Sequence, residues 1–142
     1  MTVYIPHIHE LPRGNMCSLD PAAQCSVIEA EGVVTAFAYD WPDLRVVIHL
    51  TSGPELEQPL QGFLGYVRRG CAGLRKPVDP SFERRILSTT LVLGFVVERK
   101  TKPDEWRDRV YQMIGMIAYN TSSLVFWEGA VLDENSNQLF PP

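Results

Sequence analysis

"RRILSTTLVLGFVVERK", residues 84–100, sets the architecture of this chain. From Leu91 to Val97 the run is apolar without interruption. Successive side chains of an extended segment point to opposite faces, so both faces of this one are apolar. A strand of that kind is buried on both sides and belongs in the middle of a sheet. It is also far shorter than the roughly 18 residues that a membrane-crossing helix requires.

Upstream, "TSGPELEQPLQGFLGYVRRG" at 51–70 places Leu56, Leu60, Phe63, Leu64 and Val67 at helical intervals. Ser52 and Glu55 have the spacing of a capping box, and Pro59 fits only in a first turn, so the helix is expected to begin near Leu56. Arg68 and Arg69 then fall in the last turn, where the helix dipole favours cations, with Gly70 closing it. Gly62 and Gly65 each weaken a helix by about 1 kcal/mol relative to alanine, which predicts something packed close to its backbone. Between Gly70 and Arg84 the chain reads as a polar, proline-containing connection.

Further back, "VIEAEGVVTAFAY" at 27–39 reads as one strand and "LRVVIHL" at 44–50 as the next, with "DWPD" turning between them. The first 26 residues hold Pro6, Pro12, Gly14 and Pro21 and read as an extended N-terminal arm, with Pro6 confining any strand there to a sheet edge. Downstream, "TKPDEWRDRVYQMIGMIAYN" at 101–120 is the clearest helix. Thr101 can cap it, Pro103, Asp104 and Glu105 suit its start, and Asn120 can end it. Its stripe is Trp106, Val110, Met113, Ile114 and Ile117. "SLVFW", "AVL" and "QLF" then form strands around a "DENSN" turn.

The order β-β-α-β-α-β predicts an α+β fold: a two-layer sandwich of two main helices on a mixed four- to five-stranded sheet, in one domain spanning 1–142. The second apolar face of the central strand then needs a cover, either the N-terminal arm or a second subunit.

The apolar fraction of 45% and charged fraction of 21% are those of a globular protein. The N-terminus lacks a basic stretch followed by an apolar one, which predicts a soluble, cytoplasmic protein. Cys17, Cys25 and Cys71 are odd in number and lack a C-x-x-C spacing, so free thiols are expected rather than a disulfide framework or zinc knuckle.

The net charge of −4 conceals a division. Residues 1–67 carry two arginines against eight acids, 68–102 carry nine Lys/Arg against three, and 103–142 carry two against six. Arg68, Arg69, Arg75, Lys76, Arg84 and Arg85 form a basic belt inside an acidic chain, suited to an acidic partner.

Neither glycine-rich phosphate motif occurs, and no cofactor is expected. There is no G-x-S-x-G elbow. Asp133, Asn135 and Asn137 imitate the opening of a calcium loop, but Gln138 stands where glycine is needed. Glu29 with Glu31, and Asp40 with Asp43, are paired carboxylates without a distinctive spacing. His7 and His9 would share a face of an extended segment and could hold a metal with Glu10, Cys17 or His49. Tyr111, Tyr119, Phe126 and Trp127 could serve an interface.

These features predict a small binding or regulatory protein without catalytic activity, acting through a protein–protein interface at the belt and capable of self-association. The alternatives are a metal-dependent hydrolase built on His7, His9 and His49, and a nucleic-acid accessory protein using the belt. Overall acidity, with a pI near 5.3, and the lack of an aromatic-interleaved motif count against nucleic acid.

Overall fold

In the computed structural model, which describes residues 1–101 and 105–142, β5 (Thr89–Lys100) lies inside an eight-stranded sheet of order β2-β3-β4-β5-β1-β6-β7-β8. The other strands are β1 (Thr2–Pro6), β2 (Gln24–Ala30), β3 (Val33–Trp41), β4 (Leu44–Ser52), β6 (Leu124–Trp127), β7 (Ala130–Leu132) and β8 (Gln138–Phe140). Every pairing is antiparallel. Among the described residues four α-helices accompany it: α1 (Arg13–Cys17), α2 (Glu57–Gly73), α3 (Pro80–Leu87) and α4 (Trp106–Thr121).

The expected two-layer sandwich with a mixed four- to five-stranded sheet and two main helices is therefore overturned. One core joins Leu91, Leu93 and Phe95 of β5 to Val110, Met113, Ile114 and Ile117 of α4 and to Met16 of α1. A second, on the opposite face, joins Val92 of β5 and Tyr4 of β1 to Phe63, Leu64 and Val67 of α2 and to Phe82 and Ile86 of α3. Over Leu91–Phe95 the double apolar character of β5 is satisfied by helices of the same chain on both faces, while Val96 stays 44% exposed.

Three local features account for the additional elements. Glu31 and Gly32 both take positive φ, 53° and 79°, the pattern of a tight primed hairpin turn, so 27–39 is two strands and not one. Asp79 caps α3 by accepting from the Ser81 N–H at 2.8 Å, and Pro80 follows in the first turn, so the connection between the long helix and β5 holds a helix of its own. Pro6 does not mark an edge, because β1 pairs with both β5 and β6. The proline stands at the last residue, where the register with β5 slips and a missing N–H is tolerated. The first 26 residues thus supply β1, α1 and the start of β2.

The hairpin at "DWPD" forms as the sequence predicts, with Trp41 opposite Leu44. The chain enters α2 through a 3-10 turn at Gly53–Leu56, and Ser52 makes no side-chain cap. The helix runs past Gly70 to Gly73. Its close approach lies at Gly70: an added Cβ there would stand 2.2 Å from Cζ of Phe140 on β8, whereas nothing lies within 4 Å at Gly62 and only the Arg69 side chain lies near Gly65. Gly70→Ala is expected to lower stability by about 1–3 kcal/mol despite alanine's better helix propensity. Chemical denaturation of the two proteins side by side checks this.

In α4 the apolar stripe is as expected, with Trp106 half-buried. Thr101 donates to the Asp43 carbonyl and so fastens to the β3–β4 turn, while Pro103 and Asp104 lie outside the described residues. The helix continues to Thr121, with Ser122 left-handed beyond it, and does not stop at Asn120. No described helix is long and apolar enough to cross a membrane.

The cysteines also depart from expectation. Cys17 and Cys25 form a disulfide, with Cα atoms 5.3 Å apart, tying α1 to β2, while Cys71 is a free thiol buried in the second core. The residues are only eight apart in sequence, and no spacing rule singles them out; the strand β2 brings them together. A reducing compartment therefore no longer follows from cysteine usage.

The Tyr39 hydroxyl reinforces the same attachment by donating to the Met16 carbonyl at 2.6 Å. Burial raises the pKa values of Tyr39 and of Tyr4, the latter to about 12. The unfolded state ionises both near pH 10, so their contribution is intact below pH 10 and is lost progressively above it. Denaturation midpoints measured from pH 8 to pH 12 should fall beyond pH 10, and less steeply in Tyr39→Phe.

Candidate functional site

The six basic residues singled out in the sequence all lie in the layer formed by α2, α3 and their connection. Two of them are neutralised. Arg68 on α2 pairs with Glu83 on α3, and Arg85 pairs with Glu134 and donates to the Ser122 carbonyl at 3.2 Å. The Arg85 hydrogen bond also holds the Glu134 carboxyl below its ordinary pKa. These two arginines fasten the helices to one another and to the β7–β8 turn.

Arg69, Arg75, Lys76 and Arg84 are exposed and make no ion pair among the described residues. Arg69 folds back over Gly65, with Nη1 2.9 Å from the position a Cβ would occupy, so that glycine makes room for the guanidinium. Arg84 lies two residues from both Phe82 and Ile86, whose side chains face the core, and so points outward.

The tip between the helices is built by a Schellman closure: the Lys76 N–H donates to the Cys71 carbonyl at 2.9 Å and the Arg75 N–H to the Ala72 carbonyl at 3.0 Å. Arg75 takes the left-handed position with φ 54°. Glycine normally stands there, and a side chain costs about 1 kcal/mol. Leu74 follows α2 and Leu87 ends α3, and each is 51% exposed in the same layer.

The histidines do not converge. His7 follows β1 in a left-handed conformation, φ 59°, so residues 7–9 are not a pleated strand and the alternation that would align His7 with His9 is absent. His49 is exposed on β4, opposite Ala36 and Gly94. Among the described residues no three His, Cys, Asp or Glu side chains are disposed to hold a metal.

Of the paired carboxylates, Glu29, Asp40 and Asp43 are committed elsewhere. Glu29 pairs with Arg13, and Asp40 joins Arg45 and Glu98 in one cluster. A bulge after Ile28 and the turn at Glu31 separate Glu29 from Glu31. Asp133 accepts three hydrogen bonds, from the N–H groups of Asn135 and Asn137 and from Asn137 Nδ2, so its loop is an ordinary polar turn. Burial alone would raise its pKa, but those donors and Arg85 outweigh it and hold the carboxyl low. Phe126 packs edge-on against Phe63 and Tyr66, and Trp127 against Tyr111, leaving Tyr119 as the most exposed aromatic at 68%.

Sequence reasoning missed a cleft of about 670 Å³ beside the segment that joins β1 to α1. His9, Glu10, Arg13, Thr35, Ser52 and Glu55 supply its polar lining, over Leu50 and Leu91. A smaller cleft of about 550 Å³ lies on the other side of the same segment, against Met116 and Ile117 of α4. These residues come from separate stretches of chain, and no local pattern announces their meeting.

Fold and site define an α+β domain in which an antiparallel sheet carries helices on both faces and one helical layer, α2 and α3 with their connection, carries exposed cations. Compared with models of protein families, with curated proteins and with solved structures, the chain matches none.

Proposed function

We propose that this is a binding protein whose working surface is the tip of the α2–α3 layer and whose partner is an acidic segment of another protein. The observation that carries this is the set of four cations without ion-pair partners among the described residues, one of them, Arg75, held in a conformation that favours glycine. The exposed Leu74 and Leu87 favour a polypeptide, which offers both carboxylates and apolar side chains, over a nucleic-acid backbone.

Titration of a fluorescent peptide alternating glutamate and leucine tests this, with a single-stranded oligonucleotide of equal charge as competitor. Reversal in Arg75→Glu/Arg84→Glu should weaken peptide binding at least about tenfold through like-charge repulsion. Arg75→Gly separates the two roles of that position: it should stabilise the fold by about 1 kcal/mol while weakening the peptide. Absence of peptide binding, or tighter binding to the oligonucleotide with a steep salt dependence, refutes the proposal.

A further inference from the structure

The cleft of about 670 Å³ lies at the margin of the first core. Leu50 continues the face of β4 that carries Val46 and Ile48 into that core, and Leu91 adjoins it on β5. No residue of α4 lines the cleft; its walls are the segment between β1 and α1, the start of β3 and the 3-10 turn after β4. Leu11, Val34 and Leu50 are therefore left half-buried beside a fully buried Leu91, and Val33 at the rim is 64% exposed.

Uncompensated charge of one sign borders this apolar floor. Glu10 and Glu55 make no ion pair among the described residues. Arg13, the one cation in the lining besides the imidazole of His9, is taken by Glu29, which lies outside the cleft. The Ser52 hydroxyl caps nothing and is left to accept a hydrogen bond, as a ring nitrogen of His9 can. We propose that this cleft binds a small organic cation with an apolar body, its ammonium or amidinium group held by Glu10 and Glu55 and its body laid on Val34, Leu50 and Leu91.

Size, polarity and order agree on this occupant. A concave site of a few hundred Å³ with an apolar floor and a few polar groups is the usual seat of a small molecule. Carboxylates around a cleft with low-dielectric walls draw cations and repel anions. A bare metal ion fits poorly, because no three His, Cys, Asp or Glu side chains among the described residues are disposed to hold one. The wall that carries Glu10 is fixed at both ends: β1 pairs with β5 and β6, and α1 is tied down by the Cys17–Cys25 disulfide and the Tyr39 hydroxyl. Little ordering is then left for the ligand to impose. Glu10 also borders the smaller cleft, whose remaining lining is uncharged, whereas Val33 lines the larger one alone.

Chemical-shift titration of the whole chain at pH 8 tests this, with tryptamine as the probe cation and indole-3-propionate, which carries a carboxylate in place of the ammonium, as its counterpart. Tryptamine should bind with a dissociation constant of about 1 mM or below, and indole-3-propionate at least about tenfold more weakly. Glu10→Gln and Glu55→Gln should each weaken tryptamine about two- to fivefold, the range of an exposed ion pair. Val33→Lys, at an exposed position, should weaken it about tenfold by setting a like charge at the rim, with an otherwise unchanged spectrum. Met116→Lys, in the smaller cleft, should leave binding as it is. So should Arg75→Glu/Arg84→Glu, which separates this site from the tip of the α2–α3 layer. No binding at about 10 mM tryptamine, equal binding of the anion, or a loss on Met116→Lys that Val33→Lys does not produce overturns the inference.

Discussion

Leu93→Ala should lower the unfolding free energy by about 3–4 kcal/mol. Leu93 is completely buried in β5, whose neighbours β4 and β1 are themselves interior strands of the sheet. Its side chain lies in the core shared with α4, where sheet and helix are both held by many other contacts and cannot collapse into the space left behind. The cost is therefore the lost transfer free energy plus that of a cavity. Val96→Ala, three residues along the same strand, should cost less than about 1 kcal/mol, because that side chain is 44% exposed. Urea unfolding of both variants with unchanged m-values checks the pair. Equal losses at the two positions would contradict the placement of the helices over β5.

Reduction of the Cys17–Cys25 bond should cost about 2.5 kcal/mol, the loop-closure entropy returned to the unfolded chain by so short a bridge. Cys25→Ser should reproduce it. The loss should be local as well as global. Helix α1 has five residues, no side-chain cap and one buried residue, Met16, so its own propensity does not hold it. The disulfide and the Tyr39 hydroxyl fasten it to the sheet. Hydrogen exchange after reduction should rise first over residues 13–25 and along the segment between the two clefts, while β5 and α4 stay protected. Uniform loss of protection across the chain would show that α1 is not the separable element described here.

Periodicity reveals an element when the element is long and buries one face. That is why α2, α4, β5 and the β3–β4 hairpin are legible from residues alone. It fails where a short strand or helix draws its stability from neighbours. Residues 2–6 hold a proline and resemble an arm until β5 and β6 receive them on both sides. Residues 80–87 hide a helix behind a proline that, after Asp79, is a start signal and not a break. The glutamate at the Glu31–Gly32 turn disguises a hairpin whose usual marker is Asn-Gly.

The candidate site divides in the same way. The concentration of cations between Arg68 and Arg85 is a property of the sequence, as is the acidity of the remainder. Which of them are spent on Glu83 and Glu134, and which face water, depends on partners distant along the chain. His7 and His9 look paired only if the backbone between them is extended, and the left-handed turn at His7 removes that condition.

By itself, then, the sequence determined that Leu91–Val97 lies in an interior strand, buried on both faces over Leu91–Phe95 though open at Val96, that a long amphipathic helix flanks it on either side, and that the basic charge is concentrated in the middle of the chain. Those are consequences of side-chain alternation, helical period and composition, each of which acts over a few residues. Tertiary structure alone decided that the sheet has eight antiparallel strands, that Cys17 reaches Cys25, that Gly70 must admit Phe140, and that four cations of the α2–α3 layer remain without an ion pair among the described residues. Each of these is a meeting of segments fixed by the burial of apolar surface over the whole chain, and no local pattern encodes which segments will meet.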